Sequence, residues 1–274
     1  MNRISAFLTR ELRAMHSAVM FFTRIPMPSL ANHDPADLQR SSTYFPLVGW
    51  LVGGAAALTW WGAIQIWPPA IASGASLAVT LLLTGAFHED GFADMCDGFG
   101  SGAPKDRVLE IMRDSRIGAF GAIGLVVMLT LKWQTVAALP AHSAWLAHSA
   151  YSAHSAHPAW LAPALLFAAH ALSRGASATL MTTLAYVSEQ GKAKPLATTL
   201  RGWRLVMSLA FALAPMALLP PRFWWTLAAV AAARGVMARL CKRRIGGYTG
   251  DCLGATQQVC EVAFYLCAIA LTNP

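Results

Sequence analysis

AIASGASLAVTLLLTGAFHEDGFADMCDGFG occupies residues 70–100, and its abrupt change of character near the middle decides the fold. Residues 70–88 carry no Asp, Glu, Lys or Arg. Such a run is long enough, or nearly so, to cross a bilayer core about 30 Å thick as a helix. Glu89, Asp90, Asp94 and Asp97 follow at once. Six further apolar stretches, at 44–67, 118–139, 159–187, 203–220, 223–240 and 252–271, bring the predicted spans to seven. The fourth is longer than a span needs and contains Arg174, while the fifth and sixth meet at Pro220-Pro221-Arg222 as a helical hairpin. Hydrophobic residues make up 56% of the 274-residue chain and charged residues 12%. Mean hydropathy is +0.47. A soluble domain carries about 25% charged residues, so half that supply cannot coat a water-facing surface of this size. The same composition excludes disorder, collagen and a disulfide-stapled secreted module. The predicted class is an all-α, polytopic membrane helical bundle, one domain over 1–274.

Charge placement orients the bundle. The net charge is +8, from 21 Lys and Arg against 13 Asp and Glu. Seventeen of the basic residues fall in the N-terminal segment and in the second-to-third, fourth-to-fifth and sixth-to-seventh connections, all on one side. The positive-inside rule then places the N-terminus in the cytoplasm and, with seven spans, the C-terminus outside. Topology accounts for the charge, and no nucleic-acid partner is needed. Residues 1–43 form an N-terminal segment without a secretory signal. Its Leu8, Leu12, Met15, Val19 and Phe22 lie close to helical spacing, which fits a helix lying on the cytoplasmic membrane face as well as an ordinary core helix. The five cysteines include no CxxC and no Cys/His ligand spacing, so free thiols are expected rather than a structural zinc. Residues 140–158, the predicted outside loop, contain three tandem hexads, AHSAWL, AHSAYS and AHSAHP, over 141–158. Six-residue spacing does not align imidazoles on a helix, so this His-rich loop is read as an expansion under weak constraint.

The chemistry concentrates elsewhere. Seven of the 13 acidic residues lie between Glu89 and Asp114, within one predicted cytoplasmic connection, 89–117. On a helix, Asp90, Asp94 and Asp97 are spaced i, i+4, i+7 and share one face. Three stacked carboxylates repel unless a cation lies among them, and oxygen-only ligands suit Mg2+ or Mn2+. Asp106, Glu110 and Asp114 repeat the device at i, i+4, i+8, and Arg113 and Arg116 add guanidinium forks suited to phosphate oxygens. Arg174 within a span is costly enough to mark a functional site. The glycine-rich turn before the last span, with Thr249 and Asp251, offers backbone amides for phosphate and side chains for ribose or metal.

FTRIPMP at 22–28, YFPLVG at 44–49, HEDGFADMCDGF at 88–99, EIMRDSRIGAFG at 110–121, SRG at 173–175 and GGYTGDCLGA at 246–255 occur in this order. Together they resemble the adenosylcobinamide-GDP ribazoletransferase, or cobalamin synthase, family from about residue 20 to 271. The resemblance implies a multi-pass enzyme of the bacterial inner membrane with its active site facing the cytoplasm and Mg2+ as cofactor. It would join adenosylcobinamide-GDP to α-ribazole or its 5′-phosphate, giving adenosylcobalamin or its 5′-phosphate and GMP. Asp90, Asp94 and Asp97 match the family's aspartates and are expected to hold metal. Arg113, Asp114 and Arg116 match its second motif, and Thr249 and Asp251 its third. His88, Arg113, Arg116, Arg174, Thr249 and Asp251 are expected to bind substrate. Attack by a ribose hydroxyl on a phosphoanhydride needs a base to take the proton; Asp114, flanked by Arg113 and Arg116, is the expected one, with Asp106 or a metal-bound carboxylate as the alternatives. The lipid bilayer is an expected partner, and a homo-oligomer is compatible with these features. The hexad repeat is not part of the family's pattern. Asp94-x-x-Asp97-Gly98 also opens the CDP-alcohol phosphotransferase signature DxxDGxxAR, but its Ala-Arg pair is missing here. A divalent-cation transporter would carry its carboxylates near the bilayer midplane instead.

Overall fold

The computed structural model describes residues 3–28, 35–140, 158–188 and 200–272. Among them the regular elements are all helical: α1 (Arg3–Phe22), α2 (Pro35–Ser41), α3 (Phe45–Ala63), α4 (Pro69–Thr84), α5 (Phe87–Gly100), α6 (Lys105–Ile111), α7 (Ala119–Ala137), α8 (Leu161–Ala178), α9 (Leu180–Thr183), α10 (Trp203–Leu213), α11 (Thr226–Ile245) and α12 (Gly250–Thr272). One isolated parallel bridge joins Tyr186 to Tyr248. The hexad repeat, but for its last residue, lies outside the described residues, as do Lys192 and Lys194.

Each apolar stretch folds as helix, but the boundaries move. By length and hydropathy α7 and α12 are each able to cross a membrane, and α4 with α5 qualifies only as a pair bent by 88°. The bend has a local cause. Gly85 and Ala86 both take left-handed backbone, at φ 64° and 56°, which glycine adopts freely and alanine rarely. The amides of both return to the Leu81 carbonyl, closing α4 one turn short of the expected boundary at 88. Stretch 159–187 divides into α8 and α9, ending in the bridge at Tyr186. Stretch 203–220 passes from α10 into a 3-10 turn at Ala214–Leu218, and a second turn at Pro221–Trp225 leads into α11, which runs five residues past 240.

Apolar side chains cover the outside as well as the core, and several charges are buried among them. Leu58, Leu82, Ile123, Val126 and Trp225 are exposed, whereas Glu89, Lys132, Arg174 and Glu261 are buried. α8 and α12 each bury more residues than any other helix. α3 approaches α8 at Gly49, where a Cβ would lie 2.5 Å from the His170 carbonyl oxygen; small residues at helix crossings permit this in membrane bundles. The five cysteines are free.

In α1 the structure divides the apolar row read from the sequence. Ala14, Ala18 and Phe22 are buried, with Met15 and Val19 packed beside them, while Phe7, Leu8 and Leu12 face outward. The inward face carries Glu11, which accepts hydrogen bonds from Arg204 Nη2 at 2.7 Å and Tyr44 Oη at 3.0 Å. This buried pairing fixes the roll of α1 and leaves its outer apolar residues uncovered.

Candidate active site

α5 realises the i, i+4, i+7 spacing, so Asp90, Asp94 and Asp97 lie along one side of a single helix. α5 packs on the start of α12, and Gly91 is where the backbones meet: a Cβ there would lie 2.9 Å from Asp251 Cα. That close approach brings Asp251, in the first turn of α12, against the acidic face. Asp94 registers the crowding. Burial, then the charges of Asp251, Asp90 and Asp97, push its carboxyl up to about 7. Charged carboxylates crowded together away from water or a cation are unfavourable, which is the cause. Asp97 differs: its two oxygens accept the backbone N–H groups of Gly118 and Gly121, each at 2.7 Å. Among the described residues no three His, Cys, Asp or Glu side chains form a ready metal cage.

The second carboxylate ladder is shorter than expected. α6 carries Asp106 and Glu110 but ends at Ile111, so Asp114 lies in the turn beyond it. Tight bonds from the Arg113 and Asp114 amides to the Glu110 and Ile111 carbonyls, both 3.1 Å, close the helix first. In that turn Arg116 donates to Asp114 through Nη2 at 2.7 Å, Nε at 3.1 Å and the backbone amide at 3.1 Å. These hydrogen bonds hold the Asp114 carboxyl down at about 2, so in this arrangement it is ionised but a weak base. Asp97, Arg107, Glu110, Asp114, Arg116 and Phe120 border an open groove of about 370 Å3 between α5, α6 and the start of α7. Arg113 is exposed and is not among the groove's lining residues.

His88 and Arg174 meet in a different place, a narrow cavity of about 30 Å3 walled by Phe21, Phe22, Phe45 and Phe87, with room for about one water. The His88 ring stacks on Phe22 with centroids 5.5 Å apart. Arg174 Nη1 donates to the His170 carbonyl at 3.0 Å, while its buried Nε has no protein partner. Gly250, the residue before Asp251, also lines this cavity, so it adjoins the acidic face. Thr249 is buried and caps α12: its Oγ1 accepts the Cys252 amide at 3.3 Å and donates to Asp251 Oδ2 at 3.2 Å. Its first task is therefore to shape the turn that presents Asp251.

Beneath the acidic face lies a polar network that sequence inspection leaves unpaired. Lys132 Nζ is 3.5 Å from Glu89 Oε1 and 3.4 Å from Glu261 Oε1, and it donates to Gln258 Oε1 at 2.5 Å. Gln258 Nε2 donates to Glu89 Oε1 at 2.8 Å, and Gln257 Nε2 to Glu261 Oε2 at 2.6 Å. The signal in the sequence is a charge in each of several apolar stretches, but nothing local says which pairs with which. Arg234 likewise finds Thr179 and Thr183.

The family model described as Cobalamin-5-phosphate synthase matches residues 14–269. A protein of Ralstonia nicotianae named adenosylcobinamide-GDP ribazoletransferase is 42% identical over 278 residues, covering 98% of this chain and 99% of its own. Proteins of the same name from Leptothrix cholodnii and Vibrio cholerae are 41% and 37% identical, covering 95% and 97% of this chain and 96% and 97% of their own. No solved structure matches. These likenesses do not favour the CDP-alcohol phosphotransferase alternative.

Proposed function

The chain belongs to the cobalamin-5-phosphate synthase family, and on that premise we propose how its site carries the family's reaction. The protein is a transferase of cobalamin biosynthesis that attaches the lower ligand, with adenosylcobinamide-GDP and a ribazole as substrates. The acceptor is α-ribazole or its 5′-phosphate, and GMP leaves. The observation that carries the site assignment is the close approach of α12 to α5 at Gly91, which brings Asp251 to the face of Asp90 and Asp94.

The donor set fits Mg2+: its atoms are carboxylate oxygens, and the raised Asp94 carboxyl marks a place where positive charge is favourable. Asp90, Asp94 and Asp251 would hold the ion, which when bound neutralises charge developing on the diphosphate. Arg116, with Arg113 beside it in the turn, binds phosphate oxygens by bidentate hydrogen bonds. A phosphate that draws Arg116 away from Asp114 releases that carboxylate from the bonds that depress it, and Asp114 then takes the proton of the attacking ribose hydroxyl. Arg174 and His88 serve the same substrates from the adjoining cavity, and Thr249 sets Asp251. The chain is multi-pass in the bacterial inner membrane, with seven spans as read above. Residues 89–117 form the cytoplasmic connection, and α1 lies on the membrane face through Phe7, Leu8 and Leu12.

Incubation of the purified protein with adenosylcobinamide-GDP, α-ribazole and Mg2+ is expected to yield adenosylcobalamin and GMP by product mass. Movement of radiolabelled cation across proteoliposomes without nucleotide, and no GMP, would support a transporter instead. For topology, a reporter after Pro274 is expected to behave as outside the cytoplasm and one after Lys192 as inside. A cytoplasmic C-terminus would remove one span from the count, at 159–187 or 203–240.

A further inference from the structure

Asp97 stands apart from the other aspartates of its helix. Both of its oxygens are taken by backbone amides at 2.7 Å, one from Gly118 and one from Gly121. Gly118 immediately precedes α7 and Gly121 lies in its first turn. The amides there have no partner within their own helix, and the helix dipole favours an anion at that end. The two glycines make the approach feasible. A Cβ at Gly118 would lie 2.5 Å from Asp97 Oδ1, and one at Gly121 would collide with Oδ2 and lie 3.0 Å from the Ala93 carbonyl oxygen. The start of α7 is thus shaped to receive this one carboxylate, across 21 and 24 residues of chain.

The tie closes the whole connection that carries the second motif. Between its two ends run α6 and the turn with Arg113, Asp114 and Arg116. Asp97, Gly118 and Phe120 line the groove together with Arg107, Asp114 and Arg116, so the clamp and the arginines border one opening. Asp94 has the opposite surroundings: it is half-buried itself, and the charges of Asp251, Asp90 and Asp97 act on it.

We propose that Asp97 is the positioning residue that clamps the start of α7 and the 112–117 turn beside the acidic face, and is not a ligand of the divalent ion. The inference rests on Asp90, Asp94 and Asp251 being the metal-facing set. Loss of the clamp loosens the groove that receives the donor's phosphates, whereas loss of a true ligand weakens the ion itself. The two roles separate by measurement.

The test uses the full chain in detergent micelles, with Mn2+ as the probe, followed by its electron paramagnetic resonance signal. D94N is expected to weaken Mn2+ binding by at least about tenfold. D97A is expected to leave Mn2+ affinity unchanged while the amides of 118–123 exchange hydrogen about fivefold to tenfold faster. In turnover, D97A is expected to raise KM for adenosylcobinamide-GDP more than it lowers kcat. D97N, whose single amide oxygen still accepts one of the two backbone N–H groups while its NH2 faces the other, is expected to recover part of the protection and of the KM. If D97A does not fold, the Mn2+ affinity of D97N decides, because it removes the charge a ligand needs and keeps an acceptor for one of the two amides. Loss of Mn2+ affinity in D97N equal to that in D94N would overturn the proposal, as would unchanged exchange at 118–123 in a folded D97A. Unchanged Mn2+ affinity in D94N would instead defeat the metal assignment, leaving the clamp to be judged by the exchange data.

Discussion

Asp94→Asn is expected to lower GMP release by at least about 100-fold while the protein still folds and inserts. The substitution preserves volume and removes one charged oxygen donor from the point where α5 meets α12. In a merely solvated acidic face the same change would cost under about 0.5 kcal/mol and leave activity intact. Stability should move the other way. Burial and the charges of Asp251, Asp90 and Asp97 penalise the ionised form of Asp94 and lift its carboxyl to about 7. A group whose carboxyl is raised on folding destabilises the fold once ionised, so replacing it by a neutral amide relieves repulsion at pH 8. The thermal midpoint without Mg2+ should therefore hold or rise in D94N, and the stabilisation that Mg2+ confers on the parent should be lost. Such opposition of stability and activity marks a functional site. Near-parental turnover at saturating Mg2+ would end the metal role of this residue, and a collapsed midpoint would make its role structural.

Lys132→Met is expected to cost about 3–5 kcal/mol of stability, the scale on which a buried pair broken from one side destabilises a protein. Lys132, Glu89 and Glu261 are 3%, 7% and 1% exposed, so no water replaces the lost partner. The ammonium lies within 3.5 Å of both carboxylates. Its removal leaves them facing each other across the space between α5 and α12, the two helices that form the acidic face. Thermal unfolding in a fixed detergent measures the loss. K132M combined with E261Q should recover part of it, because one stranded charge is removed with its partner. Parental stability in K132M alone would mean that the network contributes nothing net to the fold.

Much of the site was legible because its determinants are local. The 3.6-residue period puts Asp90, Asp94 and Asp97 on one side of any helix that forms there, and α5 does form. The acidic density after residue 88, the apolar stretches and the low charge are likewise properties of adjacent residues, and the family resemblance rests on short motifs in order. The end of α6 before Asp114 was harder. The ladder Asp106, Glu110, Asp114 has helical spacing, but spacing does not say where the helix stops. Tight bonds at Arg113 and Asp114 and the pairing of Asp114 with Arg116 decided that.

The sequence by itself determined the helical class, the apolar stretches, the acidic connection and the family. Only the tertiary structure decided which carboxylates meet and which find backbone amides. Asp251 joins Asp94 across about 160 residues because Gly91 lets two backbones touch. Asp97 turns to the start of α7, and Lys132 finds Glu89 and Glu261. α1 presents Leu8 and Leu12 outward because buried Glu11 is committed to Tyr44 and Arg204. The reason is common to these cases. Periodicity and hydropathy describe how a residue relates to its near neighbours and to its average surroundings. The partner of a buried charge, or the role of one carboxylate among several, is set by which helix faces pack together. That depends on contacts far apart in the chain, which are chosen when the bundle closes and every buried charge and amide must be satisfied at once.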